Sequence, residues 1–233
     1  MDNHWRLAFM FDAPGHDLAA LEEGLRRADP TIRRLAGDAH VRLGVADSHH
    51  DMQGVRGPDE EPKRGVDGAL EVSVAGARAG VLPDLPRSLR EALEGLVEIS
   101  SLEVMTGPIF PMVPVRDGGA FLSLAFRRYP GTTSQQFRDW WFHQHSAVAI
   151  PALGPGLLAY DQVHVNPAAS EAAARAAGLA PSLYDAYDNL TWESREAFLH
   201  SVSDAAAMAV VFADEVGHID DPSRRHALMR KIG

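Results

Sequence analysis

The stretch Ala120–Ile150, "AFLSLAFRRYPGTTSQQFRDWWFHQHSAVAI", reads as strand, glycine turn and aromatic helix, and it has an earlier counterpart. Residues Trp5–Ile32, "WRLAFMFDAPGHDLAALEEGLRRADPTI", follow the same plan in plainer residues. Setting Pro14-Gly15 against Pro130-Gly131 without gaps puts Leu21 opposite Phe137, Leu25 opposite Trp141 and Ile32 opposite Val148. The same offset sets "GALEVSV" (Gly68–Val74) against "YDAYDNL" (Tyr184–Leu190). Self-similarity of this kind marks a tandem repeat of one module.

Each half supplies the elements of a β-α-β-β-α-β unit, the ferredoxin-like order. In the first half, strands are expected at "WRLAFMF", "HVRLGVAD" and "GALEVSV", then a helix at "SLREALEGL" with Ser88 as N-cap, and extended structure in "SSLEVMTGPIFPMVPV". Leucines at helical spacing after residue 17 predict a helix, with a break or a new helical turn at Pro30. The polar run "SHHDMQGVRGPDEEPKRG", with His49 and His50, reads as an exposed loop. After "RDGG" the second half gives strands at "LLAYDQVHVNP" and "YDAYDNLTWES", an alanine-rich insert between them, one or two late helices and a short last strand. The expected fold class is α+β: two tandem ferredoxin-like modules, residues 1–115 and 117–233, with helices on the outer face. Their uncovered sheet faces can pack together as a pseudo-dimeric α/β barrel or a sandwich.

Composition narrows the function. The chain has 233 residues, 45% hydrophobic and 23% charged, as expected of a globular protein. A net charge of −10 argues against nucleic acid or anionic membrane as partner. The absence of cysteine excludes disulfides, thiolate nucleophiles and cysteine metal sites. No window approaches the roughly 20 apolar residues of a membrane span, and the N-terminus has no signal-peptide pattern. A cytoplasmic location is expected. No P-loop, GxGxxG, HExxH or GxSxG motif is present.

The aromatic helix carries the candidate site. At about 100° per residue, Phe137, Trp141, Gln144 and Val148 share the packed face, Trp140 flanks it, His145 lies at its edge and His143 points to solvent. "HQH" lacks the i, i+3 or i+4 spacing of a helical metal site, and no metal is expected. His145 reads either as a packing histidine or as part of an aromatic-lined site. The comparison between halves favours the site, because Asp29 stands opposite His145 and leucines stand opposite the aromatics. In "LLAYDQVHVN", period 2 puts Tyr160, Gln162, His164 and Asn166 on one face. That face belongs to an exposed edge strand or lines the site with Gln162 and His164. In "YDAYDNLTW", alternation puts Tyr184 and Asp188 on one face and Tyr187 on the other. Tyr129, at the turn, is placed to reach the same region. Asp214 and His218, at i, i+4, read as a surface ion pair.

The second half resembles an EthD domain of the dimeric α/β-barrel superfamily. The resembling segments are "RRYPGTTSQQFRDWWFHQHSAVAIPAL", "PGLLAYDQVHVN", "YDAYDNLTWESREAFLHSV" and "ADEVGHID", spanning Phe121 to about Asp220. The first half resembles the module weakly and lacks the histidine, so it is expected to be a degenerate copy. The resemblance implies that His145 is the family's helix histidine, Trp140 and Trp141 its aromatic pair, and Asp214 its late acidic residue. It implies relatives as varied as decarboxylases, dehydratases, cyclases, cofactor-free monooxygenases, lactone isomerases and haem proteins. Fold analogy does not choose among these.

The expectation is a cofactor-independent enzyme of lyase or isomerase type, acting on a small aromatic or polyketide-like carbonyl or phenol compound. His145 is its general acid or base, because imidazole titrates near neutrality. Asp188 and Tyr184 join the catalytic set, and Phe137, Trp140, Trp141, Tyr129, Gln162, His164 and Tyr187 bind the substrate. Alternatives are a cofactor-free monooxygenase, or a non-catalytic small-molecule or haem-binding protein. No cofactor is expected, with haem the one alternative. A homodimer of the tandem chain is compatible with this reading.

Overall fold

The computed structural model describes residues 4–47, 65–76, 85–114 and 116–233. Strand β1 (His4–Phe11) is buried on both sides from Arg6 onward. Leu7, Phe9 and Phe11 point outward under helices, while Ala8 and Met10 point into a barrel. The other strands are β2 (His40–Ala46), β3 (Gly68–Ala75), β4 (Glu103–Val113), β5 (Ala120–Arg128), β6 (Leu157–His164), β7 (Ala186–Trp192) and β8 (Ile219–Ile232). They close in the order β1-β3-β2-β8-β5-β7-β6-β4, with every pairing antiparallel.

Read from β4, that circle is β4-β1-β3-β2 followed by β8-β5-β7-β6, the same order twice. The halves therefore meet edge to edge rather than as two stacked sheets. The long last strand of each half makes both seams. β4 pairs with β1 as far as Pro108 and with β6 from Ile109. β8 pairs with β5 and then, from Met229, with β2. Closure leaves no open sheet edge.

Helix α1 (Leu18–Ala36) buries Leu21, Leu25 and Ile32, as the spacing predicts. It does not break at Pro30. That residue is exposed, so the Arg26 carbonyl it leaves unbonded faces water. Helix α2 (Leu85–Leu93) contains Ser88 in its interior rather than at its N-cap. The predicted loop with His49 and His50 lies outside the described residues. Over the second half lie α3 (Ser134–Asp139), a π-helical segment (Trp140–His145), α4 (Ser146–Leu153), α6 (Arg195–Ser201) and α7 (Ala205–Glu215). The alanine-rich insert is α5 (Pro167–Ala177), opened by the Asn166 side chain accepting from Ala169 N at 3.0 Å. Its Ala173 and Ala174 join the core of the first half, so the second half lends it a helix. The last strand, expected to be short, runs 14 residues because it serves both halves. No single described helix is long and apolar enough to cross a membrane.

The barrel interior has an apolar layer, including Met10, Met105, Phe121 and Met229, and a charged one. Arg6 Nη2 lies 2.6 Å from Asp161 Oδ2, and Arg6 Nη1 lies 3.6 Å from Glu71 Oε2. Arg42 lies 3.8 Å from Glu71 and donates to Asn189. Burial alone would raise the Glu71 carboxyl, yet Arg6, Arg42 and bonds from Tyr187 and Asn189 hold it below the ordinary range.

Candidate functional site

The helix over the second half is started locally. Thr133 Oγ1 accepts from Gln136 N at 3.2 Å, while Gln136 Oε1 accepts from Thr133 N at 3.0 Å, a complete capping box. The helix then widens over Trp140–His145. A π segment bonds i to i+5, so Trp140 and His145 fall above one another on the inner face. The uniform 100° phase is wrong here. Gln144, expected on the packed face, is exposed, and His145 is buried with 5% of its surface accessible. Gly154, with φ +69°, ends the helix.

Two clusters result. In the first, His145 Nδ1 lies 2.9 Å from Asp214 Oδ2 on α7. Trp140 Nε1 donates to the other oxygen of that carboxylate at 3.4 Å. The Trp140 ring lies 4.9 Å from the His145 ring and stacks on His218 at 4.3 Å and 5°. His218 Nδ1 is 3.1 Å from the Asp214 backbone oxygen. The expected Asp214–His218 surface ion pair is thus replaced by an Asp214–His145 pair. A carboxylate only accepts, so in the neutral ring the hydrogen sits on Nδ1 and the lone pair on Nε2.

In the second cluster, the outward residues of β6 and β7 lie beneath Trp141. Gln162 Nε2 donates to the Trp141 carbonyl at 2.9 Å, a group available where the helix widens, and to the Tyr160 hydroxyl at 3.1 Å. His164 Nε2 lies 3.3 Å from Gln162 Oε1, and its ring stacks on Trp141 at 4.9 Å and meets Phe110 at 4.4 Å with the planes tilted by 41°. Burial, with Arg138 adding to it, lowers His164 to about 4 and keeps the ring neutral. Burial raises the Asp188 carboxyl well above its usual range, against its Tyr160 bond and Arg224. Phe137 joins the clusters, lying 5.9 Å from Trp140 and 5.6 Å from Trp141.

The registers give an internal control. Asp188 lies opposite Leu124 and Gln162, while Val72 lies opposite Leu7 and Val41. At the offset that sets Gly68 against Tyr184, Val72 is the counterpart of Asp188, and the ladders then give Val41 as that of Gln162. By the same ladders Leu43 is the counterpart of His164. One barrel face thus carries an acid, an amide and an imidazole where its twin carries valine, valine and leucine.

Not every expected site residue joins. Tyr187 points into the barrel and bonds Ser123 and Glu71. Tyr184 lies before β7, packs against the barrel interior and bonds Glu103, which places it apart from Asp188. The strict alternation expected through Asp185 fails because the ladder begins only at Ala186. Tyr129 is 48% exposed, outside both clusters. Sequence reasoning left out Tyr160, although it alternates with Gln162 and His164.

Residues 129–222 match the EthD domain. The match takes in the widened helix and both clusters apart from Phe110, which the first half contributes. A comparison with curated proteins finds no match. Among solved structures, a Fusobacterium nucleatum protein provisionally named a monooxygenase aligns with 100% of this chain and 94% of its own, at 6% identity and a TM-score of 0.58. A similarly named Lactobacillus acidophilus protein aligns over 99% and 94%, at 9% identity and 0.52. A chlorite dismutase variant from Candidatus Nitrospira defluvii aligns over 98% and 92%, at 12% identity and 0.52. These likenesses place the chain in the dimeric α/β-barrel fold. They also correct the reaction class: the neighbours are named as monooxygenases and a chlorite dismutase, not as lyases or isomerases.

A haem needs an axial nitrogen and a flat slot beside it. Nε2 of His145, with Nδ1 held by a carboxylate, has the right donor chemistry. The rings beside it are closely packed: Trp140 lies 4.9 Å from the imidazole, and Phe126, Phe137 and Trp141 pack with ring centres 5.5–6.1 Å apart beneath the helix. A porphyrin-wide slot would require this layer to open, whereas a one- or two-ring molecule needs far less room. Among the described residues no group of three or more metal-ligating side chains occurs.

Proposed function

We propose that the EthD half binds a small aromatic molecule bearing a phenol or carbonyl oxygen, and that His145 takes a proton from it in a cofactor-free monooxygenation. The observation that carries this reading is the His145–Asp214 pair beside Trp140. Asp214 fixes the imidazole tautomer and stabilises the imidazolium that forms, while Nε2 accepts the proton. Deprotonation turns a phenol into an electron-rich phenolate able to reduce O2. For 1-naphthol the balance is one O2 consumed, one oxygen atom kept in 1,4-naphthoquinone and the other released as water. The ring supplies all the electrons. Trp140, Trp141 and Phe137 furnish flat apolar surface for such a ring.

Oxygen uptake with 1-naphthol and related phenols, in wild-type protein and His145→Ala, tests this reading. Loss of uptake by about 100-fold or more is expected for removal of a general base. Equal uptake in the two proteins refutes the assignment of His145.

A further inference from the structure

Asp188 is buried, with 4% of its surface accessible, and its Oδ1 has no hydrogen-bond partner among the described residues. Among those residues no cation is paired with it. The nearby Arg224 guanidinium is taken up by Glu215, at 3.0 and 3.4 Å, and by Asp221, at 3.1 Å. A buried carboxyl without a counter-ion keeps its proton. The Tyr160 hydroxyl bonds the acid and also touches Gln162 and Trp141. If that hydroxyl serves one carboxyl oxygen, the acid's own hydrogen is left for Oδ1, where the described residues offer no acceptor. Trp141 Nε1 faces the same hydroxyl, which is its acceptor. In the other half the counterpart of Asp188 is Val72, so the fold does not need an acid here.

We propose that Asp188 is the recognition point for a ligand oxygen that accepts a hydrogen bond from its carboxyl, a ketone or quinone carbonyl. This rests on the site reading above and adds what that site recognises. A neutral donor with no cation beside it suits an uncharged carbonyl oxygen. A buried donor left unmatched also discriminates against aromatics that lack the oxygen.

The test measures binding of 1,4-naphthoquinone and of naphthalene by calorimetry. Asp188→Val copies the residue of the first half, and Asp188→Asn keeps a neutral donor. Quinone affinity is expected to fall about tenfold in Asp188→Val, the worth of one buried hydrogen bond, with naphthalene unchanged. Asp188→Asn is expected to stay within about threefold of wild type. Equal quinone binding by wild type and Asp188→Val, or equal loss in both variants, overturns the proposal and leaves the His145 reading standing. An infrared difference spectrum of wild type against Asp188→Asn at pH 7 provides a readout independent of ligand. A protonated carboxyl stretch is expected there, and an ionised one overturns the proposal. Failure of wild type to bind either probe refutes the site reading itself.

Discussion

His164 gives a prediction whose size follows from its surroundings. The ring lies between Trp141 and Phe110, bonds Gln162, and is held neutral down to about pH 4. In the unfolded chain a histidine titrates at about 6.5. The unfolded state therefore binds a proton that the folded state refuses between those values, and stability falls as pH drops from about 6.5 to 4. At pH 5 the loss is about 1.5 pH units at 1.36 kcal/mol each, or about 2 kcal/mol. At pH 7 it is only about 0.2 kcal/mol.

His164→Leu installs the residue of the first half and removes this titration. The variant leaves Gln162 Oε1 without its imidazole partner, a cost that is the same at both pH values. Asp188 contributes a slope of opposite sign, because its folded carboxyl keeps a proton that the unfolded one releases. Subtracting variant from wild type cancels that slope as well. Urea unfolding followed by circular dichroism at pH 7 and pH 5 should show the variant gaining about 2 kcal/mol on wild type at the lower pH. A gap that stays constant to within about 0.5 kcal/mol would refute the reasoning.

Two further outcomes are expected. Arg6→Met strands Asp161 in the barrel interior and should cost about 3–5 kcal/mol in urea unfolding, whereas Arg6→Met with Asp161→Leu should recover most of it; equal losses would show that the pair does not bridge the halves energetically. Haemin added to the purified protein should give no histidine-ligated Soret band, and a stoichiometric band lost in His145→Ala would show that the aromatic layer opens to admit it.

Much of the fold was legible because its signals are local. Period-2 alternation in "LLAYDQVHVN" correctly separated Gln162 and His164 from Asp161 and Val163, since a strand's pleat sets that separation directly. Leu21, Leu25 and Ile32 likewise showed the buried stripe of α1. Pro30 misled because a proline's effect depends on whether its orphaned carbonyl meets water, which sequence does not show. Tyr184 misled because alternation holds only inside a ladder, and the ladder starts at Ala186. Gln144 misled because the helix widens at Trp140, and the phase computed for an α-helix runs on past the point where it applies.

By itself, the sequence determined that one β-α-β-β-α-β plan occurs twice and that only the second copy carries aromatics and a histidine on its first helix. Those are statements about spacing and residue type, and they survive without contacts. The tertiary structure decided how the copies join and which groups meet. β4 and β8 are long enough to pair with both halves, so the sheets close edge to edge, and the ladders of the second half set Asp188 beside Gln162. His145 meets Asp214 across 69 residues of chain because the widened turn swings the imidazole inward and α7 brings the carboxylate to it. Such a pairing depends on two elements docking on the same sheet, and no spacing along the chain encodes it.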